Sequence, residues 1–293
     1  VITRAVRLQN EGQELLTLES VQSASLDLIY GDYDWIQFYG RHAMERNVQR
    51  IPAAHGAHVI GSRRGTSSHQ YNPFVILAEK ETTEDFGACY GMSFVYSGGF
   101  QAFAERDQYD QTRMGMGISP EGFSWSLKPG ESFTAPEVIL SYTGKGLGEL
   151  SRQYHRILRH NVCRGMYKEV RRPILINNWE ATYFDFNGNK IYEIAKQAAE
   201  LGVEMLVLDD GWFGKRDSDD SGLGDWQVNE KKLGGTLGDL SERIHSLGMK
   251  FGLWIEPEMV SEDSDLYRAH PDWALAVPGK KPVRSRYQLV LDF

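Results

Sequence analysis

At 293 residues the chain is long enough for two domains with a sizeable core, and its 41% hydrophobic and 25% charged composition is that of a globular protein. No apolar run approaches the roughly 20 residues of a membrane helix, so no membrane partner is expected. A net charge of −8 with no basic stripe argues against nucleic acid as a partner.

Residues 1 to about 143 read as β. Apolar alternation runs through Ala24, Leu26, Leu28 and Tyr30, and recurs in Trp35 to Tyr39, Pro73 to Ala78, Cys89 to Tyr96 and Val138 to Tyr142, with Gly, Pro and Asp breaks between. Many short strands at fairly regular spacing predict an antiparallel sandwich. The 12% aromatic content suits such a core as well as sugar stacking. Ser62 to Phe74 is a polar loop carrying Arg63, Arg64 and His69. It either satisfies its own hydroxyls through short side-chain to backbone bonds or rims a cleft. Cys89 and Cys163 stand far apart without metal-ligand neighbours, so neither a disulfide framework nor a zinc site is indicated.

From Leu147 the pattern turns helical: Leu147, Leu150, Tyr154, Ile157 and Leu158 share one face, and residues 144–172 read as a helical linker. Gly144, Gly146 and Gly148 lack the spacing of a dinucleotide fingerprint and read as a turn. Residues 173–293 then alternate strand and helix. Ile174 to Trp179 is a strand; Ile191, Ile194, Ala195, Ala198 and Leu201 mark a helix face, closed by Gly202. Met205 to Leu208 is the second strand, Leu237, Leu240, Ile244 and Leu247 mark the second helix, closed by Gly248, and Phe251 to Ile255 is the third strand. Leu289 to Phe293 is a candidate fourth. A repeat of about 46 residues between Gly202 and Gly248 is the mark of successive βα units.

Each strand ends in polar or aromatic side chains: Asn177, Asn178 and Trp179; Asp209 and Asp210; Trp254, Glu256 and Glu258. A (β/α)8 barrel opens every strand end on one mouth, whereas a doubly wound sheet gathers its site at one switch point. Three strand ends in succession favour the barrel, incomplete within this chain. Three readings of the Asp209-Asp210 pair stay open on the residues alone. It is a turn cap, or a cation site with Glu256 and Glu258, or one side of a sugar pocket in which Trp179, Trp212, Trp254 and Arg286 supply the rest. Trp226 extends that pocket or packs behind it.

The chain resembles the bacterial α-galactosidases of glycoside hydrolase family 36. The motifs that carry the resemblance are Ser62 to Phe74, Asn177-Asn178-Trp179-Glu180-Ala181, Leu208-Asp209-Asp210-Gly211-Trp212-Phe213, Gly224-Asp225-Trp226, Gly252 to Val260, His270-Pro271-Asp272-Trp273 and Arg286 to Asp292. Ser285-Arg286-Tyr287-Gln288 departs from the family's usual Gly-Arg-Asn-Gln, with Arg286 kept. The resemblance implies an N-terminal β-supersandwich over residues 1–143, its beginning missing, followed by the first part of a (β/α)8 TIM barrel from residue 173. It implies that Asp209 and Asp210 bind the hydroxyls at C4 and C6 of galactose, that Trp179 and Trp254 line the pocket, and that Arg286 contacts the sugar. Trp212, Trp226 and His69 are expected at the rim. The reaction implied is retaining hydrolysis of terminal α-linked galactose in melibiose and raffinose-type oligosaccharides, by two carboxylates roughly 5–5.5 Å apart. No Asp of this chain matches either catalytic role, so nucleophile and acid/base are expected beyond Phe293, and the piece alone is expected to be inactive. No cofactor is expected. A homotetramer is implied for the full-length protein, and, with no signal-peptide pattern at the N-terminus of this piece, a cytoplasmic location is expected. α-N-Acetylgalactosaminidase or galactosyl transferase activity on the same scaffold, and a galactose-binding module without catalysis, remain alternatives.

Overall fold

The computed structural model describes residues 1–292 and divides by its contacts into two compact units, Val1–Glu169 and Val170–Phe293. In the first unit, a six-stranded antiparallel sheet is built from β1 (Ile2–Arg4), β3 (Tyr33–Arg41), β4 (Met44–Pro52), β5 (Tyr71–Glu79), β6 (Cys89–Phe94) and β9 (Val138–Thr143), in the order β1-β9-β6-β5-β3-β4. A three-stranded antiparallel sheet holds β2 (Gln22–Leu28), β7 (Phe100–Arg106) and β8 (Thr112–Ile118), in the order β7-β8-β2. Ile2 pairs with Leu140, so the sheet joins residues from the two extremes of the unit.

The pleat explains why these strands are so apolar. On β3 and β5, Trp35, Val75 and Leu77 point into a core shared with Phe100, Ala102, Met114 and Met116 of the second sheet. Their neighbours Ile36, Ile76 and Ala78 point the other way, against Leu150 and Tyr154 of helix α1 (Gly146–Ile157). Both faces of the central strands are therefore buried, which a run such as Val75-Ile76-Leu77-Ala78 requires. The Tyr154 hydroxyl donates to the Ile139 carbonyl at 3.0 Å, giving its buried polar tip a partner. Tyr30, read as the end of an alternating strand, lies in the bend after β2 and is 86% exposed.

In the second unit β10 (Leu175–Asn177), β11 (Met205–Leu208) and β12 (Lys250–Leu253) form a parallel sheet with β11 in the middle, Leu175 facing Met205 and Met205 facing Lys250. Helix α2 (Gly188–Glu200) connects the first pair and α3 (Leu237–His245) the second. Asn187 caps α2 by accepting from the Lys190 N–H, and Thr236 and Asp239 form a capping box at α3. Gly202 and Gly248 take the left-handed backbone that closes each helix before its strand, at φ 83° and 78°. Ile191, Ala195, Ala198, Leu240 and Ile244 pack on Leu206 and Leu208. Leu201 is not on that face: it falls one residue past the helix and is 85% exposed. These are the opening βα units of a (β/α)8 barrel.

The proposed fourth strand is a correction. Gln288–Val290 (β15) pairs antiparallel with β13 (Met259–Ser261) and β14 (Arg284–Ser285), not with the parallel sheet. Leu289 buries itself against Val260 and Ala274 in a small core of its own, which accounts for the apolar run. Phe293 lies outside the described residues. No helix is long and apolar enough to cross a membrane among those described.

Candidate functional site

The end of β11 carries the Asp pair, and the two side chains meet different fates. Asp209 is half-buried: the Asn178 side chain accepts from its backbone N–H at 2.8 Å, and its own carboxylate accepts from the Asp210 N–H at 2.8 Å. No basic side chain forms a hydrogen bond or ion pair with it among the described residues. Burial pushes its carboxyl above the usual aspartate range, and the neighbouring Asp210 charge adds to the rise. Asp210 is 7% exposed and tied to Arg216, itself 2% exposed, through contacts of 3.0 Å (Nε to Oδ1) and 2.8 Å (Nη2 to Oδ2). The sequence reading missed Arg216. In the run Lys215-Arg216-Asp217-Ser218-Asp219-Asp220 it looks like one more solvated charge.

A carboxylate held up by burial stabilises the folded state in its neutral form. Stability from Asp209 is therefore present at acid pH and lost as pH rises through the interval between the unfolded and the raised folded pKa. Asp209→Asn is accordingly expected to raise the stability of the full-length protein at pH 7, on the order of 0.5–2 kcal/mol, toward the lower end because water still screens a half-buried group. The gain should shrink on acidification, where wild-type Asp209 is itself neutral. Melting curves of both proteins at pH 4 and pH 7 check this; a gain that grows toward acid would contradict it.

Behind the carboxylates lies an aromatic wall. Phe213 is fully buried, with Trp226 at 4.4 Å, Trp212 at 5.0 Å and Trp254 at 6.5 Å between ring centroids. Trp212, expected at the rim, is inside the core at 4% exposure, and its indole N–H donates to the Trp254 carbonyl at 3.0 Å. A ring with its polar edge so satisfied has no reason to stay in water. Trp226 and Trp254 are half-buried. Trp179, half-buried on the turn after β10, packs edge-on against Tyr183 and Phe184. Asn178, at that turn, is fully buried and bridges it to Asp209.

Past β12, Glu256 meets Arg286 at 3.4 Å and Gln288 at 3.5 Å. Burial pushes the Glu256 carboxyl up, Arg286 pulls it back, and Glu258 and Asp210 add to the rise. β11 and β12 are adjacent parallel strands with Leu208 opposite Leu253, so their ends lie side by side. Arg286 is exposed and adopts φ 55°, a left-handed backbone that a non-glycine residue keeps only when its surroundings hold it there. His69 is exposed on the loop of the first unit, where the Ser62 hydroxyl donates to the Thr66 carbonyl at 2.6 Å, a short side-chain to backbone bond by which the loop satisfies its own hydroxyls. Asp225 of Gly224-Asp225-Trp226 accepts from the N–H groups of Asp265 and Leu266, 3.0 Å each, and so supports the loop from below. Among the described residues no group of three His, Cys, Asp or Glu side chains is gathered as metal ligands would be.

The ends of the parallel strands thus carry a half-buried carboxylate with no cation partner among the described residues and, on the neighbouring strand ends, the half-buried Trp179 and Trp254. The melibiase family model matches residues 132–293, and the glycosyl hydrolase family 36 N-terminal domain matches residues 1–128. The chain belongs to the melibiase family. It is 62% identical over its whole length to the bifunctional alpha-galactosidase/sucrose kinase AgaSK of Mediterraneibacter gnavus, and 52% identical to the alpha-galactosidase AgaA of Geobacillus stearothermophilus. It spans 31% of the length of the first and 40% of the second. The crystal structure of the Geobacillus enzyme superposes with a TM-score of 0.96 over 99% of this chain and 40% of that one. Variants of that enzyme have been solved in complex with stachyose and with raffinose. The family match accounts for the order in which sandwich and barrel units follow one another here.

Proposed function

We propose that the protein containing this chain is a retaining α-galactosidase and that the chain holds the half of its site that recognises galactose. The observation that carries the proposal is Asp209: a half-buried carboxylate without a cation, at the end of a central parallel strand whose two neighbours run on to Trp179 and Trp254. Such a group gains most from accepting sugar hydroxyls. A carboxylate committed to the axial C4 hydroxyl rejects the glucose epimer, which would leave the charge unpaired. Asp210 takes a second hydroxyl, at C6, Trp179 and Trp254 cover the apolar face of the ring, and Arg286 reaches the sugar from the far side. Relatives named as alpha-galactosidases and the complexes of one of them with raffinose and stachyose support galactosyl oligosaccharides as substrates. Nucleophile and acid/base belong, in this reading, to the part of the protein that follows residue 293. A cytoplasmic location, which suits the unpaired Cys89 and Cys163, and a tetramer carried over from the family are part of the same proposal.

The test is aglycone release by the full-length protein from an aryl α-galactoside, beside the α-N-acetylgalactosaminide and the α-glucoside. Release from the galactoside alone is expected. Release from the N-acetylgalactosaminide in preference would move the assignment, and a folded protein that releases nothing would leave only a binding module.

A further inference from the structure

We propose that Arg216 is a positioning residue for sugar recognition: its guanidinium clamps the Asp210 carboxylate so that the lone pairs left free face the substrate hydroxyl. The inference rests on the galactose-recognition reading above and adds to it a residue outside the sugar's own contacts.

The clamp is nearly complete. Nε lies 3.0 Å from Oδ1 and 3.2 Å from Oδ2, and Nη2 lies 2.8 Å from Oδ2. The remaining arm, Nη1, donates to the Ser221 carbonyl at 2.9 Å, and the guanidinium carbon sits 5.6 Å from the centre of the Phe184 ring. Arg216 is thus held by two contacts besides the carboxylate it fixes. The side chains of the pair are 2% and 9% exposed.

Stability alone is a poor reason for such a pair. Desolvating two charges consumes most of their mutual attraction, and apolar replacements of similar volume are often neutral or better. What the pair gives is orientation. A carboxylate has about four lone-pair sites, and a forked guanidinium occupies about two of them. An unclamped aspartate turns about its last torsion over a broad range, whereas the clamped one presents its free lone pairs in one direction. The contrast within the dipeptide supports this: Asp209 accepts from a backbone N–H and from no cation, while Asp210, one residue on, is held by a bidentate fork. Lysine cannot reproduce the fork, since its ammonium is a point charge.

Arg216→Lys in the full-length enzyme, assayed on an aryl α-galactoside and on its 4-deoxy and 6-deoxy counterparts, tests the role. With the parent substrate kcat/KM is expected to fall about tenfold or more. With the deoxy substrate that lacks the hydroxyl accepted by Asp210, wild type and variant should agree within about threefold, while the other deoxy substrate keeps the full loss. A residue that merely supports the fold would lower all three alike, and that result, or no loss at all, overturns the proposal. Should the lysine variant not fold, Arg216→Gln, which keeps a donor without the charge, is read on the same substrates. Failure of both to fold makes the arginine a folding residue and also overturns it. A wild-type enzyme that leaves the galactoside intact sinks the function and this inference together; an active wild type with a uniform loss sinks this inference alone.

Discussion

With Asp209 replaced by asparagine, the full-length enzyme is expected to melt no lower than wild type at pH 7 and to lose about ten- to a hundredfold in kcat/KM on an aryl α-galactoside. The fold-change follows from the worth of one charge-assisted hydrogen bond, roughly 1.5–3 kcal/mol. The opposite signs follow from the site. The amide oxygen of the substituted side chain can still accept from the Asp210 N–H, so the local turn survives, while the charge that burial penalises is gone. A free hydroxyl donor loses its anionic acceptor at the same stroke. Activity and stability are measured on the same preparation; retained kcat/KM would remove Asp209 from the sugar site, and a large drop in melting temperature would make it a structural residue.

The second large effect is expected at Phe213. Phe213→Ala should cost about 3–5 kcal/mol of stability, because a fully buried ring is removed from between three indoles that cannot all collapse inward. Trp226 and Trp254 lose the surface they lean on, so activity should fall further than the melting temperature alone explains. Phe213→Leu keeps much of the volume and should cost under about 1.5 kcal/mol. Thermal melts of the two variants, read beside kcat/KM at a temperature where both are folded, check the ordering. An alanine variant that melts with wild type would show that the wall does not depend on Phe213.

What the sequence made legible follows its periodicities. The second unit was readable because its helices put Ile191, Ala195 and Ala198, or Leu240 and Ile244, at helical spacing and close on glycine, with short apolar strands between. Met205 to Leu208 ending in two aspartates was enough to place the pair at the end of the central parallel strand. Strands β7 and β8 were harder to see. Their apolar residues are diluted by Ala102, Ala104, Gly115 and Gly117, and small residues carry little pattern. Gly115 is small for a tertiary reason, since a Cβ there would come within 2.5 Å of the Phe103 ring. The stripe on α1 showed that a surface is covered but not which one; Ile36, Ile76 and Ile139 are distant in sequence. The candidate fourth strand, Leu289 to Phe293, was misread over its described residues because an apolar run records burial, not the direction in which a strand pairs. Arg216 escaped for the same kind of reason: charge in a loop reads as solvated, and only the fold shows that this one is enclosed.

The pairing of Ile2 with Leu140 has a consequence for synthesis. A nascent chain grows at about 5–20 residues per second, so Ile2 exists for roughly 7 to 28 s before its partner is made. The sheet cannot close in the order in which it is translated: β3 with β4 and β5 with β6 are pairs of successive strands of the sheet, β3 with β5 is a longer-range pairing, and the edge of β6 that β9 will occupy stays open until β9 is made. For this unit the vulnerable moment is late in translation, just before Val138–Thr143 leaves the ribosome, and chaperones that shield strand edges would find their substrate there.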